Sequence, residues 1–254
     1  MRYIKGTMTR GIRTALLLVV MVVIFNSFTL YNNQIGVHSL TDVVYSVQDS
    51  VVQIIVDSEY THWSGSGVLI SNDGLILTAG HVVRYVDVNN ITVVFRNGIK
   101  VKAVDVYAED KNITDCGLIR INVNNVNLKK IDPCKFGRIA VGGKVFAIGQ
   151  PHGLFQSVSL GIISALNVNF DYFGEKDLLQ TDCPLNPGSS GCPMFNMKGR
   201  IIAICVGGIP QGHSIGFCVP ADVCKLVIKK YITSRALGKV ITSKVYSEES
   251  LCTD

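Results

Sequence analysis

The chain is patterned as short apolar runs rich in β-branched residues, separated by turn-forming residues, from about residue 43 to residue 219. No helical pattern alternates with these runs, which argues against a parallel sheet built from βαβ units. Asn72-Asp73-Gly74 is a hairpin-turn signal between two of them. The pattern predicts many short antiparallel strands, arranged as two β-barrels or as a sandwich. The clearest runs are 51–56, 67–71, 75–79, 91–95, 99–107, 117–121, 143–149, 157–164, 200–206 and 214–220.

The N-terminal segment departs from this strand pattern. Residues 15–25 are uninterruptedly apolar and follow four basic residues, Arg2, Lys5, Arg10 and Arg13. This is the layout of a secretory signal, and no small-residue cleavage site follows it. We therefore expect residues 1–35 to be an uncleaved signal-anchor or transmembrane segment and linker, with the rest of the chain outside the cytoplasm. A cleaved signal peptide, which leaves a secreted protein, and a buried core helix are the alternatives.

The C-terminal part departs from it as well. Pro220 precedes a segment with apolar residues at 223, 226, 227 and 228. That spacing predicts an amphipathic helix over about 221–235, docked on the strands. Pro133 lies midway between the two groups of strands and is the predicted linker between them. Residues 237–254 are polar, and we expect a loose tail there.

Charge and composition narrow the function classes. The net charge of +5 is concentrated at the N-terminus, since the chain without its four leading basic residues carries 20 basic and 19 acidic residues. This balance gives no basic face for nucleic acid, so we expect no nucleic-acid partner. The hydrophobic fraction of 48% and the charged fraction of 17% exclude a disordered chain.

The eight cysteines are open to two interpretations. An even number in an exported chain favours disulfides. However, most of them lie in apolar or small-residue runs, where a free cysteine behaves as a small hydrophobic residue. Mostly free thiols are the favoured interpretation, and one or more disulfides the alternative. No C-x-x-C or H-E-x-x-H motif occurs, so no metal and no cofactor are expected.

Three residues have contexts that suit hydrolytic chemistry. Ser190 is bracketed by Gly188 and Gly191, which permit a tight turn and bring backbone N–H groups close to the serine. His81 follows an apolar run and small residues, where an imidazole can act as a base at neutral pH. Asp115 heads the run 117–121 and is a natural partner for an imidazole N–H. Taken singly, each is more simply a turn or core residue.

The order of the three along the chain makes them a stronger signal together. His81, Asp115 and Ser190 follow the order of chymotrypsin-like hydrolases, not that of subtilisins or α/β-hydrolases. The histidine and aspartate lie in the first group of strands and the serine in the second, so a cleft between two barrels would unite them. Asp105 and Asp110 compete for the role of the aspartate. The other histidines are His38, His62, His152 and His213.

The residues around these three resemble the trypsin-like serine proteases of the HtrA/Deg type. Residues 64–83 resemble that family's histidine block, 114–121 its aspartate block and 178–206 its serine block. Residues 147–166 and 215–222 are similar to further blocks of the second barrel. The resemblance covers about 45–222. It implies an all-β fold of two six-stranded antiparallel barrels with a C-terminal helix, spanning 36–236. The first barrel then covers about 43–130, the second about 135–220.

The same resemblance implies a role for each site residue. Ser190 would be the nucleophile, His81 the general base and Asp115 the residue that orients it. The oxyanion hole would be made by the backbone N–H groups of Gly188 and Ser190, with Ser189 between them. By alignment, the specificity pocket would hold no charged residue and accept small or medium apolar side chains; its residues would be Pro184, Leu185, Cys205, Val206 and Gly207. Substrates would be unfolded or damaged polypeptides. The resemblance also implies assembly into a homo-oligomer, namely a trimer.

Two departures from that family leave other functions open. The 18 residues after Ala236 are too few for a PDZ domain, so we expect none. Cys192 stands where the family usually has glycine, and it would distort the turn if that position required positive φ. A catalytically weak, chaperone-like binding module and a specialised processing protease are therefore the alternatives to a serine endopeptidase.

Overall fold

The computed structural model describes residues 10–35, 39–59, 62–123, 129–132, 136–151, 156–170, 175–209 and 214–237. The chain divides into two compact units, Met1–Ser39 and Leu40–Asp254. The first unit contains helix α1, Arg10–Ile35, whose apolar side chains from Leu16 to Phe25 are 47–69% exposed. In the described ranges, no helix combines the length and apolar character that a membrane crossing requires. Pro133, the predicted linker, and the tail beyond Leu237 lie outside the described residues.

The second unit begins with helix α2 and a closed antiparallel barrel. Helix α2 is followed by a short 3-10 turn, Gln48–Ser50, that leads into the first strand. The six described strands of the barrel are in the order β1-β2-β3-β6-β5-β4. The helical turn α3 and a short 3-10 turn, Val88–Asn90, lie between β3 and β4. The bounds are α2 Leu40–Val47, β1 Val51–Asp57, β2 His62–Leu69, β3 Leu75–Ala79, α3 Gly80–Val83, β4 Ile91–Val94, β5 Lys100–Ala108 and β6 Cys116–Ile121.

A second closed barrel follows, also of six described strands, in the order β10-β11-β12-β9-β8-β7. Every strand pair described in the two barrels is antiparallel. Of the two predicted arrangements the barrels are therefore confirmed and the sandwich is wrong. The bounds are β7 Lys144–Gly149, β8 Ser157–Phe170, β9 Glu175–Thr181, β10 Pro193–Asn196, β11 Ile201–Gly208 and β12 Gly216–Pro220.

The predicted hairpin turn shows how the sequence sets a strand boundary. Gly74 has φ of 84°, a left-handed conformation that glycine adopts without strain. The turn is closed by the N–H of Ile70, which donates to the carbonyl of Leu75 at 2.8 Å. The Ser71 hydroxyl also accepts from the N–H of Leu75 at 2.9 Å. These bonds fix the register of β2 and β3, and β3 leads directly to His81.

Helix α4, Ala221–Ala236, packs against β11 and β12 of the second barrel and against β6 of the first. Its Tyr231 is 1% exposed and its ring centroid lies 6.0 Å from that of Tyr107 on β5. The Tyr231 hydroxyl donates to Asp105 at 2.8 Å and accepts from Arg120 at 3.2 Å. The helix bounds agree with the prediction, but the predicted apolar face is partly wrong because Leu226 is 68% exposed. The buried residues are Ala221, Cys224, Val227, Ile228 and Tyr231.

Candidate active site

His81 and Asp115 meet where the paired strands β3 and β6 of the first barrel end and begin. In the pairing of β3 with β6, Ala79 is opposite Cys116. Gly80, which follows Ala79, is therefore a neighbour of Asp115, which precedes Cys116. The N–H of Gly80 donates to the Asp115 carbonyl at 3.0 Å, and the N–H of His81 donates to Asp115 Oδ1 at 2.6 Å. His81 Nδ1 forms a short contact with Asp115 Oδ2. The aspartate side chain is 4% exposed and the histidine 42%, so the imidazole is held by a buried carboxylate while part of the ring stays accessible.

The competing aspartates are engaged elsewhere. Asp105 bonds the Tyr231 hydroxyl and forms an ion pair with Arg235. Asp110 Oδ1 accepts from the N–H of Asn112 at 2.8 Å. Asp115 is therefore the aspartate that the structure places on His81. Among the other histidines, His62 is exposed and lies 2.7 Å from Asp57, and His38, His152 and His213 are outside the described residues.

Ser190 lies in a tight turn of the second barrel, between two glycines of positive φ. The values are 94° at Gly188 and 83° at Gly191. The N–H of Gly191 donates to the carbonyl of Cys205 at 2.7 Å, which fixes the turn to β11. A Cβ at Gly191 would overlap the Ser66 carbonyl and the Thr78 hydroxyl, so glycine is required there.

The N–H groups of this turn do not all point the same way. That of Ser189 donates to the carbonyl of Asn186 at 2.8 Å. The N–H of Ser189, which lies between the two predicted donors, is therefore used within the turn. Within the described ranges, no backbone carbonyl accepts from the N–H of Gly188 or Ser190. These two groups are available to an oxyanion.

Ser66 on β2 joins the first barrel to the Ser190 turn. Its N–H donates to the Ser190 carbonyl at 2.7 Å, and its hydroxyl donates to the Gly188 carbonyl at 2.8 Å. The same hydroxyl accepts from the N–H of Gln150 at 3.0 Å. Sequence reasoning did not identify Ser66, although it lies inside the quoted histidine block. These hydrogen bonds attach the Ser190 turn to the barrel that contains His81.

Gly65 marks how close the two halves of the site come. A Cβ built on it would lie 2.8 Å from the Val82 side chain and 3.1 Å from the Ser190 carbonyl oxygen. Val82 follows His81 directly, and the Trp63 indole donates to its carbonyl at 3.0 Å. The segments that carry His81 and Ser190 therefore approach each other across one glycine.

Cys192 does not meet the condition under which it was expected to distort the turn, a positive φ. It is absent from the residues of positive φ, because the left-handed conformation falls on Gly191. Its side chain is 1% exposed and packs in the core of the second barrel. The same core contains Cys183, Cys205 and Cys218, and the sulfurs of the last two lie 3.4 Å apart.

The described cysteines are free and buried, which agrees with the favoured interpretation; they are Cys116, Cys183, Cys192, Cys205, Cys218 and Cys224. Cys134 and Cys252 lie outside the described residues. A hydrogen bond with Cys205, together with burial, raises the pKa of the Cys192 thiol well above its ordinary value. Burial likewise raises the pKa of Cys218. These thiols are therefore held in the neutral, weakly nucleophilic form.

The predicted pocket residues divide into two groups. Pro184 is exposed and Leu185 half-buried, with its side chain over Gly216 of β12. Cys205 and Val206 are 1% and 3% exposed, and their side chains belong to the barrel cores. At Gly207, β11 carries an irregularity in its pairing with β12. Among the described residues, no cluster of three or more His, Cys, Asp or Glu is arranged to hold a metal ion.

Two antiparallel barrels, with a histidine–aspartate pair on one and a glycine-bracketed serine on the other, define the chymotrypsin-like class of folds. A family profile described as "Trypsin-like peptidase domain" matches residues 65–204. The chain belongs to the trypsin-like peptidase family, as the HtrA/Deg resemblance implied.

Named relatives agree with this assignment. The chain is 35% identical over 184 residues to "Serine endoprotease DegS" of Haemophilus influenzae, which covers 70% of this chain and 52% of the relative. It is 33% identical over 199 residues to "Probable periplasmic serine endoprotease DegP-like" of Chlamydia trachomatis, covering 74% of this chain and 38% of the relative. The chain thus spans about half or less of the length of these relatives.

Solved structures show the same similarity in three dimensions. "HtrA-type protease AlgW with tripeptide" has a TM-score of 0.68 at 29% identity, covering 77% of this chain and 64% of the other. The serine endoprotease from Yersinia pestis has a TM-score of 0.66 at 30% identity, covering 78% of this chain and 68% of the other.

Proposed function

We propose that this protein is a serine endopeptidase that hydrolyses peptide bonds in unfolded or damaged polypeptides. Ser190 is the nucleophile, His81 the general base and Asp115 the residue that orients the base. The observation that carries the proposal is the contact of Asp115 with both His81 Nδ1 and the His81 backbone N–H. It leaves the second imidazole nitrogen for the serine, whose turn is bonded to the same barrel through Ser66.

The chemistry follows from these positions. His81 accepts the Ser190 hydroxyl proton as the oxygen attacks the peptide carbonyl, and Asp115 stabilises the imidazolium that forms. The developing oxyanion accepts from the N–H groups of Gly188 and Ser190, and a donor of this kind is typically worth about 10²–10³ in rate. His81 then protonates the leaving amine, and water hydrolyses the acyl-enzyme.

The residue before the scissile bond is proposed to be small or medium and apolar. Leu185, whose side chain lies over Gly216, supplies an apolar wall, and Gly207 has no side chain to narrow the pocket. Pro184 forms the exposed edge. Since Cys205 and Val206 point into the cores, their contribution to the pocket is through the backbone.

The location and assembly of the protein form a further part of the proposal. We place the peptidase on the extracytoplasmic side of a membrane, held there by residues 1–35. The exposed apolar side chains of α1 support this, as do the relatives whose names include "periplasmic". A homo-oligomer, a trimer, is the assembly that we propose. Extraction of membranes at high pH tests the attachment, and sedimentation equilibrium tests the oligomer.

Labelling with a fluorophosphonate probe tests the catalytic proposal. Wild type and Cys192→Ala should both be labelled, because the Cys192 thiol is buried and neutral. Ser190→Ala should remain folded and unlabelled, and it should lose nearly all cleavage of an unfolded protein substrate. Absence of labelling in folded wild type, with retained binding of unfolded polypeptide, would replace the peptidase by the chaperone-like module. Unchanged proteolysis by Ser190→Ala would end the proposal.

A further inference from the structure

Arg84 lies one helical turn after His81 and directs its guanidinium group at the same aspartate. Its Nη2 is 3.3 Å from Asp115 Oδ1 and donates to the Glu109 carbonyl at 3.0 Å. The side chain is only 13% exposed. We propose that Arg84 is a positioning residue of the active site, which fixes the Asp115 carboxylate in the orientation that serves His81. This inference rests on the proposed peptidase function.

The two carboxylate oxygens of Asp115 have different partners. Oδ2 contacts the imidazole, whereas Oδ1 accepts from the His81 N–H and faces Arg84. With Oδ1 held from two sides, rotation of the carboxylate about its Cβ–Cγ bond is opposed. Asp115 therefore presents Oδ2 to the imidazole in one fixed direction, and that direction sets the tautomer and the aim of the ring.

Gly80 provides the space that this arrangement needs. A Cβ built at Gly80 would lie 2.7 Å from Arg84 Nη2 and 2.8 Å from Asp115 Oδ1. Both distances are shorter than van der Waals contact, so any side chain here would push the guanidinium and the carboxylate apart. The residue just before His81 is thus a second, independent sign that the chain accommodates this ion pair.

The same Nη2 atom of Arg84 also donates to the backbone carbonyl of Glu109, a second charged residue. Glu109 is 6% exposed, and both oxygens of its carboxylate accept from Lys230 of α4 at 2.9 Å. Because the Glu109 carbonyl accepts from Arg84, the position of the guanidinium is fixed relative to both the first barrel and α4.

Stability alone is a poor explanation for this arginine. Its Nε is buried and has no hydrogen-bond partner among the described residues. A buried ion pair contributes little net stability when its hydrogen bonds are incomplete, because desolvation offsets the attraction. A cost of this kind is typical of residues retained for the geometry of a site.

Steady-state kinetics on a peptide substrate separate positioning from binding. Arg84→Met should lower kcat by about 10- to 100-fold, the scale of a misplaced catalytic group, and leave KM unchanged. Arg84→Lys, which retains one charged donor, should recover part of the loss. Gly80→Ala should lower kcat as well, and the double variant should be no slower than Gly80→Ala alone, because both changes act through one contact.

Arg120→Met is the matched control. Arg120 is also a half-buried arginine of the first barrel, with an ion pair to Asp73 at 2.5 Å, and we expect it to lose stability but not kcat. Equal kcat in wild type and Arg84→Met, or equal losses in Arg84→Met and Arg120→Met, would overturn the inference.

A proton NMR measurement tests the inference without turnover. The low-field resonance of the His81 Nδ1 proton reports its bond to Asp115, and it should move or broaden in Arg84→Met but not in Arg120→Met. An unchanged resonance would count against positioning even in an active enzyme. Conversely, a wild type that shows this resonance and its dependence on Arg84, but no labelling of Ser190, would refute the peptidase and leave the role of Arg84 intact.

Discussion

Replacement of Ser66 by alanine removes the side-chain bonds that join the two barrels at the active site. The hydroxyl donates to the Gly188 carbonyl at 2.8 Å and accepts from the Gln150 N–H at 3.0 Å. Alanine keeps the backbone bond from residue 66 to the Ser190 carbonyl. The variant therefore loosens the turn without detaching it, and Ser66 itself is fully buried.

The magnitude follows from the two partners left behind. Gln150 is 0% exposed, so its N–H would be buried without an acceptor, which costs about 1–3 kcal/mol. Gly188 is half-buried, so its carbonyl can bond to water instead. The loss of stability there is that of an ordinary hydrogen bond, about 0.5–1.5 kcal/mol. We expect Ser66→Ala to lower the free energy of unfolding by about 2–4 kcal/mol in total. This is a large part of the roughly 5–15 kcal/mol that stabilises a typical domain.

Activity should fall with stability, because the same hydroxyl fixes the peptide that follows Gly188. The loss of rate should stay below the about 10²–10³ of a missing oxyanion donor, since both donors remain present. Urea unfolding gives the free energy, and the rate of fluorophosphonate labelling gives the activity.

Ser46→Ala is the matched control for this prediction. The Ser46 hydroxyl donates to the Val43 carbonyl at 2.7 Å within α2, so its loss removes one local bond. We expect this control to cost no more than about 0.5–1.5 kcal/mol and to leave labelling unchanged. The reasoning is refuted if Ser66→Ala matches Ser46→Ala in both free energy and labelling rate.

Two further predictions concern the base and the thiols. Asp115→Asn should lower kcat by roughly 10⁴ through the wrong histidine tautomer, measured against Asp110→Asn as control; a loss below tenfold would remove Asp115 from its role. The thiols of Cys192 and Cys218 should resist a disulfide reagent until the protein unfolds, because burial keeps them neutral. Their raised pKa values also mean that folding holds these protons more tightly, so stability should fall as the pH rises above the ordinary thiol value of 9.0. Rapid labelling in the native state, or stability that is level at alkaline pH, would contradict this.

Much of the fold was predictable because its signals are local. The apolar runs and turn residues define strands wherever they occur, and the positive φ of Gly74 fits the predicted hairpin. The pairing of His81 with Asp115 was also accessible, since the aspartate heads a strand that pairs with the strand before the histidine.

The parts that escaped prediction depend on long-range packing. Ser66 and Gly188 are 122 residues apart, and only the meeting of the two barrels brings them together. Arg84 looks like an ordinary surface cation in the sequence, and its burial requires Glu109 and Asp115 around it. The effect of Cys192 could not be decided from the sequence, because alignment does not tell which residue of a turn carries the left-handed conformation; here Gly191 carries it.

Helix α4 is synthesised after the first barrel that it contacts, and this order affects the nascent chain. The ribosome releases the first barrel well before α4, so the partners of Tyr231 on that barrel, Asp105, Tyr107 and Arg120, stay uncovered during translation. Ser190 also emerges long after His81. Under the proposed catalytic roles, a nascent chain therefore lacks a complete catalytic site until Ser190 and the segment that leads into α4 have been made.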